Sequence, residues 1–306
     1  MTAHRLQQAG RSGGWAHPAQ FAEGPGYFTA GAGTPVVMLH ASLGSKSQWA
    51  GLAVRLASRF RVVAVDLCGY GDNAMPLSSS GFTLDDEVRL VMSRLDGLVK
   101  PPTRFHVVGH SYGGLVALRL AASHAGRVAG LALYDPVAFG LLRDDPVLAD
   151  IRQREQEVVT LVAQGRRREA AQRFVDFWSG PGSYASQPGP VQLGIARRVA
   201  KVPLDFQAAW SWPGGRADLG AVRVPTLLLA GTRSPAVAQR IVMLLTRTLR
   251  DCRVGWFDAG HMGPITDPQR INPWIEAFVN LCDEPESPAA RSPRLASTSD
   301  WAAAAD

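Results

Sequence analysis

The chain has 306 residues, of which 46% are hydrophobic and 19% charged, and its formal net charge is +6. This length allows one large domain or two small ones, and the apolar share is too high for a wholly disordered protein. No apolar run approaches the ~20 residues of a membrane-spanning helix. Residues 1–20 also lack the apolar core of a cleaved signal peptide. We therefore expect a globular protein with no membrane partner.

The positive charge is carried almost entirely by arginine, since only Lys46, Lys100 and Lys201 are lysine among the 32 basic residues. A bias of this kind indicates the composition of a source genome more than a phosphate-binding surface. The longest basic run, 166–168, is followed at once by Glu169. A nucleic-acid-binding arm needs a longer cluster with interleaved aromatic residues. We expect no nucleic-acid partner.

The three cysteines, Cys68, Cys252 and Cys282, are far apart and show no CxxC spacing. An odd count without paired spacing argues against a disulfide framework and against a zinc site. This pattern suits a reducing compartment. The sequence therefore predicts a cytoplasmic protein that carries no metal and no cofactor.

In chain order, residues 1–33 show no clear periodicity and are predicted to be an extension with one or two short edge strands. Buried strands are predicted where short apolar runs occur, and helices where apolar residues recur at helical spacing. Up to Pro136 the predicted elements are a strand at 35–39, a helix at 47–57, a strand at 61–65, a helix opened by a capping box of Thr83 and Asp86, a strand at 105–108, a helix at 115–122 and a strand at 128–134. This alternation predicts right-handed crossovers and a mainly parallel sheet.

After Pro136 the alternation stops, and residues 140–215 are predicted to be a helical insertion. It then resumes with a strand at 224–229, a helix at 236–249, a strand at 252–257 and a helix at 268–281. The domain division that follows is a core of 34–139 and 216–282, an insertion at 140–215, an extension at 1–33 and a tail at 283–306 that we expect to be disordered.

The most informative motif is the run from Gly109 to Gly113, Gly-His-Ser-Tyr-Gly, which fits G-x-S-x-G. It lies directly between a predicted strand and a predicted helix. A turn this tight strains the backbone of its central residue, needs small neighbours and holds the hydroxyl of Ser111 at a helix N-terminus. An ordinary glycine-rich loop is the alternative, but this context favours a nucleophilic serine.

A serine nucleophile needs a base, and His261 is the candidate. It follows the last predicted strand, at the end of the sheet where Ser111 is expected. The tetrahedral intermediate also needs two N–H donors. We expect them to be the backbone groups of Tyr112 and of Ser42, the latter in the loop that follows the first core strand. His40, in the same loop, is interpreted as a hydrogen-bonding brace that also lies near the pocket.

With these motifs in their order along the chain, residues 34–282 resemble the α/β-hydrolase superfamily. The resemblance rests on the His40–Gly44 loop, the Asp66–Gly71 turn, the Ser111 elbow and the Gly260–His261 loop. It implies an α/β fold with a mostly parallel twisted sheet flanked by helices. It also implies that 140–215 is a helical lid inserted after the sixth strand.

The third member of the triad departs from the family's pattern. The acid usually follows the strand before the last one, where this chain has Ser234, and a serine cannot stabilise an imidazolium. Some relatives, including certain haloalkane dehalogenases, carry the acid after the sixth strand instead. That position is Asp135, which we predict to be the acid. A turn residue before proline is the alternative, and Asp258 is a weaker candidate.

Ser111 itself limits the chemistry, because dehalogenases and epoxide hydrolases of this fold use an aspartate at that position. A serine fits an ester or related acyl substrate, the carbon–carbon bond of a 1,3-diketone-like substrate, or a perhydrolase reaction. The aromatic residues in or near the insertion suggest an apolar small-molecule pocket. The pocket candidates are His40, Phe139, Trp178, Trp210, Trp212 and Met262.

The sequence therefore predicts a cofactor-independent serine hydrolase, most simply a carboxylesterase. A catalytically silent member that binds a ligand is the alternative from another functional class, and the serine at position 234 is its only support. The physiological substrate and the oligomeric state are not determined by the sequence.

Overall fold

The structure is a computed structural model, and it describes residues 21–78 and 80–284. Most of the extension predicted over 1–33 and almost all of the tail predicted over 283–306 therefore lie outside the described residues. The described part of the chain holds one eight-stranded sheet with helices on both faces. This is the α/β architecture that the strand–helix alternation predicts.

The strands are β1 (Phe21–Gly24), β2 (Tyr27–Ala30), β3 (Pro35–Leu39), β4 (Arg61–Val65), β5 (Phe105–His110), β6 (Val128–Tyr134), β7 (Thr226–Gly231) and β8 (Cys252–Phe257). Their order across the sheet is β1-β2-β4-β3-β5-β6-β7-β8. The pairs β1–β2 and β2–β4 are antiparallel, and every other neighbouring pair is parallel. The carboxyl ends of β5 to β8 therefore lie along one edge of the sheet.

The helices are α1 (Ala50–Leu56), α2 (Leu84–Asp96), α3 (Tyr112–Ser123), α4 (Leu148–Ala163), α5 (Arg167–Ser179), α6 (Gly189–Arg198), α7 (Val202–Ser211), α8 (Arg216–Gly220), α9 (Ala236–Thr248), α10 (Gly263–Thr266) and α11 (Pro268–Asp283). Short 3₁₀ turns cover Lys46–Trp49, Phe139–Leu142 and Val199–Lys201. Helices α4 to α7 form the helical insertion predicted over 140–215. No helix in the described ranges is long and apolar enough to cross a membrane.

Several element boundaries follow directly from residue chemistry. The N–H group and the hydroxyl of Thr83 both donate to the Asp86 carboxylate, at 2.7 and 3.0 Å, which confirms the predicted start of α2. Strand β7 begins two residues later than predicted, after Pro225, because proline has no N–H for the ladder. Helix α3 begins three residues earlier than predicted, because it starts immediately after Ser111.

Two apolar layers enclose the sheet, one on each face. Helices α1 and α11 cover one face, and the core there includes Trp49 and Phe278. Helices α2, α3 and α9 cover the other face, and their core is continuous with that of the insertion through Phe139 and Phe206. Helix α7 packs against α2 and α3, so the insertion lies over the edge where β5 and β6 end.

Candidate active site

Ser111 occupies a strained turn between β5 and α3. Its backbone has φ 54° and ψ −118°, a conformation that residues other than glycine rarely adopt. A Cβ atom on Gly109 would lie 2.6 Å from the Gly113 carbonyl oxygen, and one on Gly113 would lie 2.4 Å from the His40 oxygen. Both positions therefore require glycine. The hydroxyl of Ser111 is consequently held at the N-terminus of α3.

His261 lies in the loop between β8 and α10, and its Nε2 is 2.9 Å from the Ser111 Oγ. The main chain of this loop is held from two sides. The hydroxyl of Tyr134 donates to the Gly260 carbonyl oxygen at 2.8 Å. The ring Nε2 of His110 lies 2.7 Å from the His261 carbonyl oxygen.

The ring of His110, which holds this loop through its contact with the His261 carbonyl oxygen, is neutral. Complete burial holds the pKa of His110 well below its usual value, and the nearby His261 lowers it further. A carbonyl oxygen only accepts, so the Nε2–H of His110 donates to it. The ring Nδ1 is then free to accept from the Gln48 amide at 3.1 Å. These two contacts select one tautomer of His110.

Asp135 follows the last residue of β6, and its backbone N–H donates to the Leu229 carbonyl oxygen at 3.0 Å. Its Oδ2 lies 3.2 Å from the His261 Nδ1, and its side chain is fully buried. The structure thus places Ser111, His261 and Asp135 in one continuous line of polar contacts. Asp258, the weaker candidate, is exposed and forms an ion pair with Arg233.

Ser234, at the position where the family's acid usually lies, contacts the carboxylate of Asp135. Its hydroxyl donates to Asp135 Oδ2 at 2.6 Å, and both residues are buried. Ser234 follows β7, the strand beside β6, so the two loops meet at the edge of the sheet. Sequence reasoning treated Ser234 only as a missing acid. Its proximity to Asp135 required the order of the strands.

Two spaces meet at this site, and Trp178 of α5 lies in the wall of both. The inner cavity is about 20 Å³, holds the Ser111 hydroxyl, and also has Ser42, Tyr112 and Phe139 in its wall. The outer cleft is about 860 Å³ and includes the predicted pocket residue Met262 and the ring of His261. The Trp178 indole stacks on the His261 ring, with centroids 4.4 Å apart and planes 29° apart.

Ser42 and Tyr112, the predicted oxyanion donors, both lie with Ser111 in the wall of the inner cavity. Tyr112 is the first residue of α3, and the N–H groups of a first helical turn have no acceptor inside their own helix. Ser42 comes from the loop after β3, the strand next to β5. Because both strands end at the same edge, the two main chains converge on the serine.

Three predicted pocket residues lie away from the walls of these two spaces. His40 braces its loop, because its Nε2 accepts from the Leu67 N–H at 3.0 Å and its Nδ1 lies 2.7 Å from the Ala41 oxygen. Trp210 packs behind Phe139, with ring centroids 5.0 Å apart. Trp212 is buried in the core beneath the insertion. These contacts match the interpretation of His40 as a brace and give the two tryptophans packing roles.

A buried charge cluster adjoins the inner cavity and was not found by sequence reasoning. The ammonium of Lys201 pairs with Glu87 of α2 at 3.0 Å and with Asp205 of α7, and all three side chains are at least nine-tenths buried. Asp205 also lies in the cavity wall. The sequence signal was weak, since Lys201 is merely one of three lysines. Within the described ranges no group of three or more His, Cys, Asp or Glu side chains is arranged to hold a metal ion.

Comparison with known proteins places this geometry in a family. The family model described as alpha/beta hydrolase fold matches residues 34–268. The chain belongs to the α/β hydrolase fold family. In that family's terms, Ser111 occupies the strand-to-helix turn that sequence analysis expected, and the insertion follows the sixth strand.

Individual relatives agree with this assignment. The chain is 29% identical to the putative carbamate hydrolase RutD of Variovorax paradoxus, covering 83% of this chain and 94% of that protein. It is 27% identical to the pimeloyl-[acyl-carrier protein] methyl ester esterase of Aeromonas hydrophila, covering 81% and 96%. Several other curated relatives match over only 22–40% of their own length.

A solved structure shows the same fold. It is an α/β hydrolase from Sphaerobacter thermophilus, with a TM-score of 0.64 and 24% identity, covering 86% of this chain and 97% of that one. At this level of identity the likeness concerns the fold alone.

Proposed function

We propose that the protein is a cofactor-independent serine hydrolase that cleaves a carboxylic ester or a related acyl substrate. Ser111 is the nucleophile, His261 the base, and Asp135 the acid that orients it. The backbone N–H groups of Ser42 and Tyr112 form the oxyanion hole. The observation that carries this proposal is the buried line from Ser111 through His261 to Asp135, with contacts of 2.9 and 3.2 Å.

Acylation follows from the geometry of these atoms. The Nε2 of His261 accepts the hydroxyl proton as the Ser111 Oγ attacks the carbonyl carbon. The new negative charge on the carbonyl oxygen is stabilised by hydrogen bonds from the two backbone donors, and such hydrogen bonds are stronger in a water-poor cavity. The Asp135 carboxylate stabilises the imidazolium that forms. The C–O bond then breaks, and His261 returns its proton to the departing alcohol, leaving an acyl-enzyme.

Deacylation repeats these steps with water. His261 takes a proton from water as the oxygen attacks the acyl carbon, and the same two N–H groups hold the second oxyanion. The bond from the acyl carbon to Ser111 Oγ breaks, and the proton returns to the serine. A carboxylic acid leaves, and the enzyme regains its starting state.

The two spaces divide the substrate into unequal parts. The inner cavity of about 20 Å³ beside Ser111 is the smaller space and restricts the acyl group to a compact one. The outer cleft of about 860 Å³ suits the larger leaving group. The insertion that separates them serves as a lid over the catalytic residues. The names of two of the long-matching relatives, a carbamate hydrolase and a methyl ester esterase, both support cleavage beside an acyl carbon.

Active-site labelling tests this proposal directly. A fluorophosphonate probe is expected to form one covalent adduct, located by peptide mass spectrometry on Ser111. The Ser111→Ala variant is the matched control and should take up no label. Unlabelled wild-type protein would contradict the proposal and favour a silent ligand-binding member. Turnover of p-nitrophenyl acetate by wild-type protein, absent in Ser111→Ala, would extend the result from reactivity to hydrolysis.

A further inference from the structure

The inner cavity is lined mostly by apolar side chains, so its few polar groups decide what polar chemistry it accepts. Three phenylalanines and three aliphatic residues share the wall with Trp178 and with four residues whose side chains carry oxygen, namely Ser42, Ser111, Tyr112 and Asp205. Ser111 is the proposed nucleophile. The hydroxyl of Tyr112 donates to Glu87 at 3.2 Å, away from the cavity. Ser42 and Asp205 remain as the polar end of the wall.

Asp205 is held as a buried carboxylate by three donors. Its Oδ1 accepts from the Lys201 ammonium, and its Oδ2 accepts from the hydroxyls of Tyr70 and Ser42 at 2.5 Å each. Burial raises the pKa of Asp205, and Lys201 opposes that rise. The ammonium is fully buried between two carboxylates, which keeps its charge and provides Asp205 with a counter-ion.

These contacts determine which way the hydrogens point. An ionised carboxylate only accepts, so the hydroxyl hydrogen of Ser42 is committed to Asp205. The Ser42 oxygen therefore presents lone pairs to the remaining space. Each carboxylate oxygen offers two acceptor sites, and Oδ1 uses only one of them on Lys201 among the contacts described. The end of the cavity formed by Ser42 and Asp205 consequently accepts hydrogen bonds, and the indole N–H of Trp178 is a side-chain donor elsewhere in the wall.

A cavity end that only accepts hydrogen bonds discriminates between acyl groups of equal size that reach it. A group that carries an N–H or O–H can replace its lost water contacts by donating to Ser42 or Asp205. A methyl group of the same volume leaves those oxygens without a partner in a water-poor space, which costs free energy. A further carbonyl or carboxylate on the acyl group would face oxygen lone pairs and a negative charge.

We propose that Asp205 and the Ser42 hydroxyl are specificity-determining groups that select compact acyl groups bearing a hydroxyl or amino donor, such as hydroxy-acyl or carbamoyl groups. This inference rests on the proposed serine hydrolase function. It assigns a substrate class to the inner cavity.

A pair of esters of equal shape tests the inference. Methyl 2-hydroxypropanoate and methyl 2-methylpropanoate differ by a hydroxyl in place of a methyl. We measure kcat/KM for each and divide their ratio by the ratio of their hydroxide-catalysed rates. We expect the corrected ratio to favour the hydroxy ester by at least about tenfold in wild-type protein. A corrected ratio near or below one would overturn the inference.

Variants locate the effect. In Asp205→Asn we expect the corrected ratio to fall about tenfold or more, because the amide replaces an acceptor by a donor while Lys201 stays paired with Glu87. The control Asp150→Asn changes an exposed residue of the same insertion and should leave the ratio unchanged. An unchanged ratio in Asp205→Asn would overturn the inference. If that variant does not fold, Ser42→Ala removes the other acceptor, and an unchanged ratio there has the same meaning.

Labelling separates this inference from the function on which it rests. If Ser111 takes up the fluorophosphonate probe but the ester pair is not distinguished, only the selection by Asp205 and Ser42 is overturned. If Ser111 is not labelled and neither ester is cleaved, the proposed function fails and the inference fails with it.

Discussion

At the scale of single residues, the site depends on which carboxylate meets His261. Asp135 and Asp258 each directly follow a strand that ends at the active-site edge of the sheet. Only Asp135 is buried against the histidine. Its backbone has φ 43°, an uncommon conformation for a residue other than glycine. The chain thus accepts local strain where the carboxylate is directed toward the imidazole.

Asp135→Asn is expected to lower kcat on a small p-nitrophenyl ester by about 10³- to 10⁴-fold. The amide keeps the shape but cannot stabilise the imidazolium, and it favours the wrong tautomer of the base. Steady-state kinetics with circular dichroism to verify folding make the measurement. Asp258→Asn is the matched control, since that residue is exposed and bound to Arg233. A large loss in the control together with full activity in Asp135→Asn would reassign the role.

Ser234→Ala is expected to move the acidic limb of the pH–rate profile to higher pH. Loss of the 2.6 Å donor makes the Asp135 carboxylate a stronger acceptor, so it holds the imidazolium more firmly. A purely structural role would lower activity without moving the profile. Ser123→Ala, at an exposed hydroxyl bound to its own helix, is the control. An unmoved profile in Ser234→Ala would contradict the interpretation.

At the scale of elements, sequence patterns predicted strands and helices well because each is a local property. The apolar run at the end of β6 identifies a strand, and the glycines around Ser111 identify a tight turn. Neither requires knowledge of which elements pack beside it. Boundaries were less accurate where a tertiary contact or a turn determines them, as at the start of α3. Helix α5 shows what local patterns cannot predict. The helical spacing of its apolar residues does not reveal that Trp178 stacks on the ring of His261.

Trp178→Leu is expected to join the inner cavity to the outer cleft and so to broaden acyl selectivity. The smaller side chain removes the indole that lies in the wall of both spaces. We expect kcat/KM for p-nitrophenyl octanoate to rise at least about tenfold relative to the acetate. Trp256→Leu, an exposed position on β8, is the control. An unchanged chain-length preference would show that Trp178 does not limit the acyl pocket.

At the scale of the whole molecule, the fold encloses two histidine rings as neutral species. His40 and His110 are fully buried, and desolvation is the largest cause that lowers the pKa of each. In the unfolded chain these rings take up a proton below about pH 6.5. Because the folded state binds fewer protons there, the stability they permit is complete above that pH and is lost as pH falls.

The free energy of unfolding is therefore expected to decrease between pH 8 and pH 5.5. Each histidine that stays neutral contributes a loss of up to about 1.4 kcal/mol per pH unit below its unfolded pKa. Urea denaturation at pH 8.0, 6.5 and 5.5 measures this dependence. His124→Gln, in which a half-buried histidine at the end of α3 is removed, should show the same dependence as wild-type protein. A free energy that does not fall toward pH 5.5 would contradict the prediction.

The sequence by itself determined the α/β hydrolase fold, the strand-to-helix turn at Ser111 and the placement of His261 after the last strand. Each rests on a short segment: an apolar period, a glycine spacing, or a residue that follows a strand. Tertiary structure alone decided that Ser234 contacts Asp135, that Asp205 contacts Ser42 in the wall of the inner cavity, and that Trp178 stacks on His261. Those pairs are far apart in the chain, 99 residues for Ser234 and Asp135. Their meeting depends on strand order and on the packing of the insertion, which no local pattern contains.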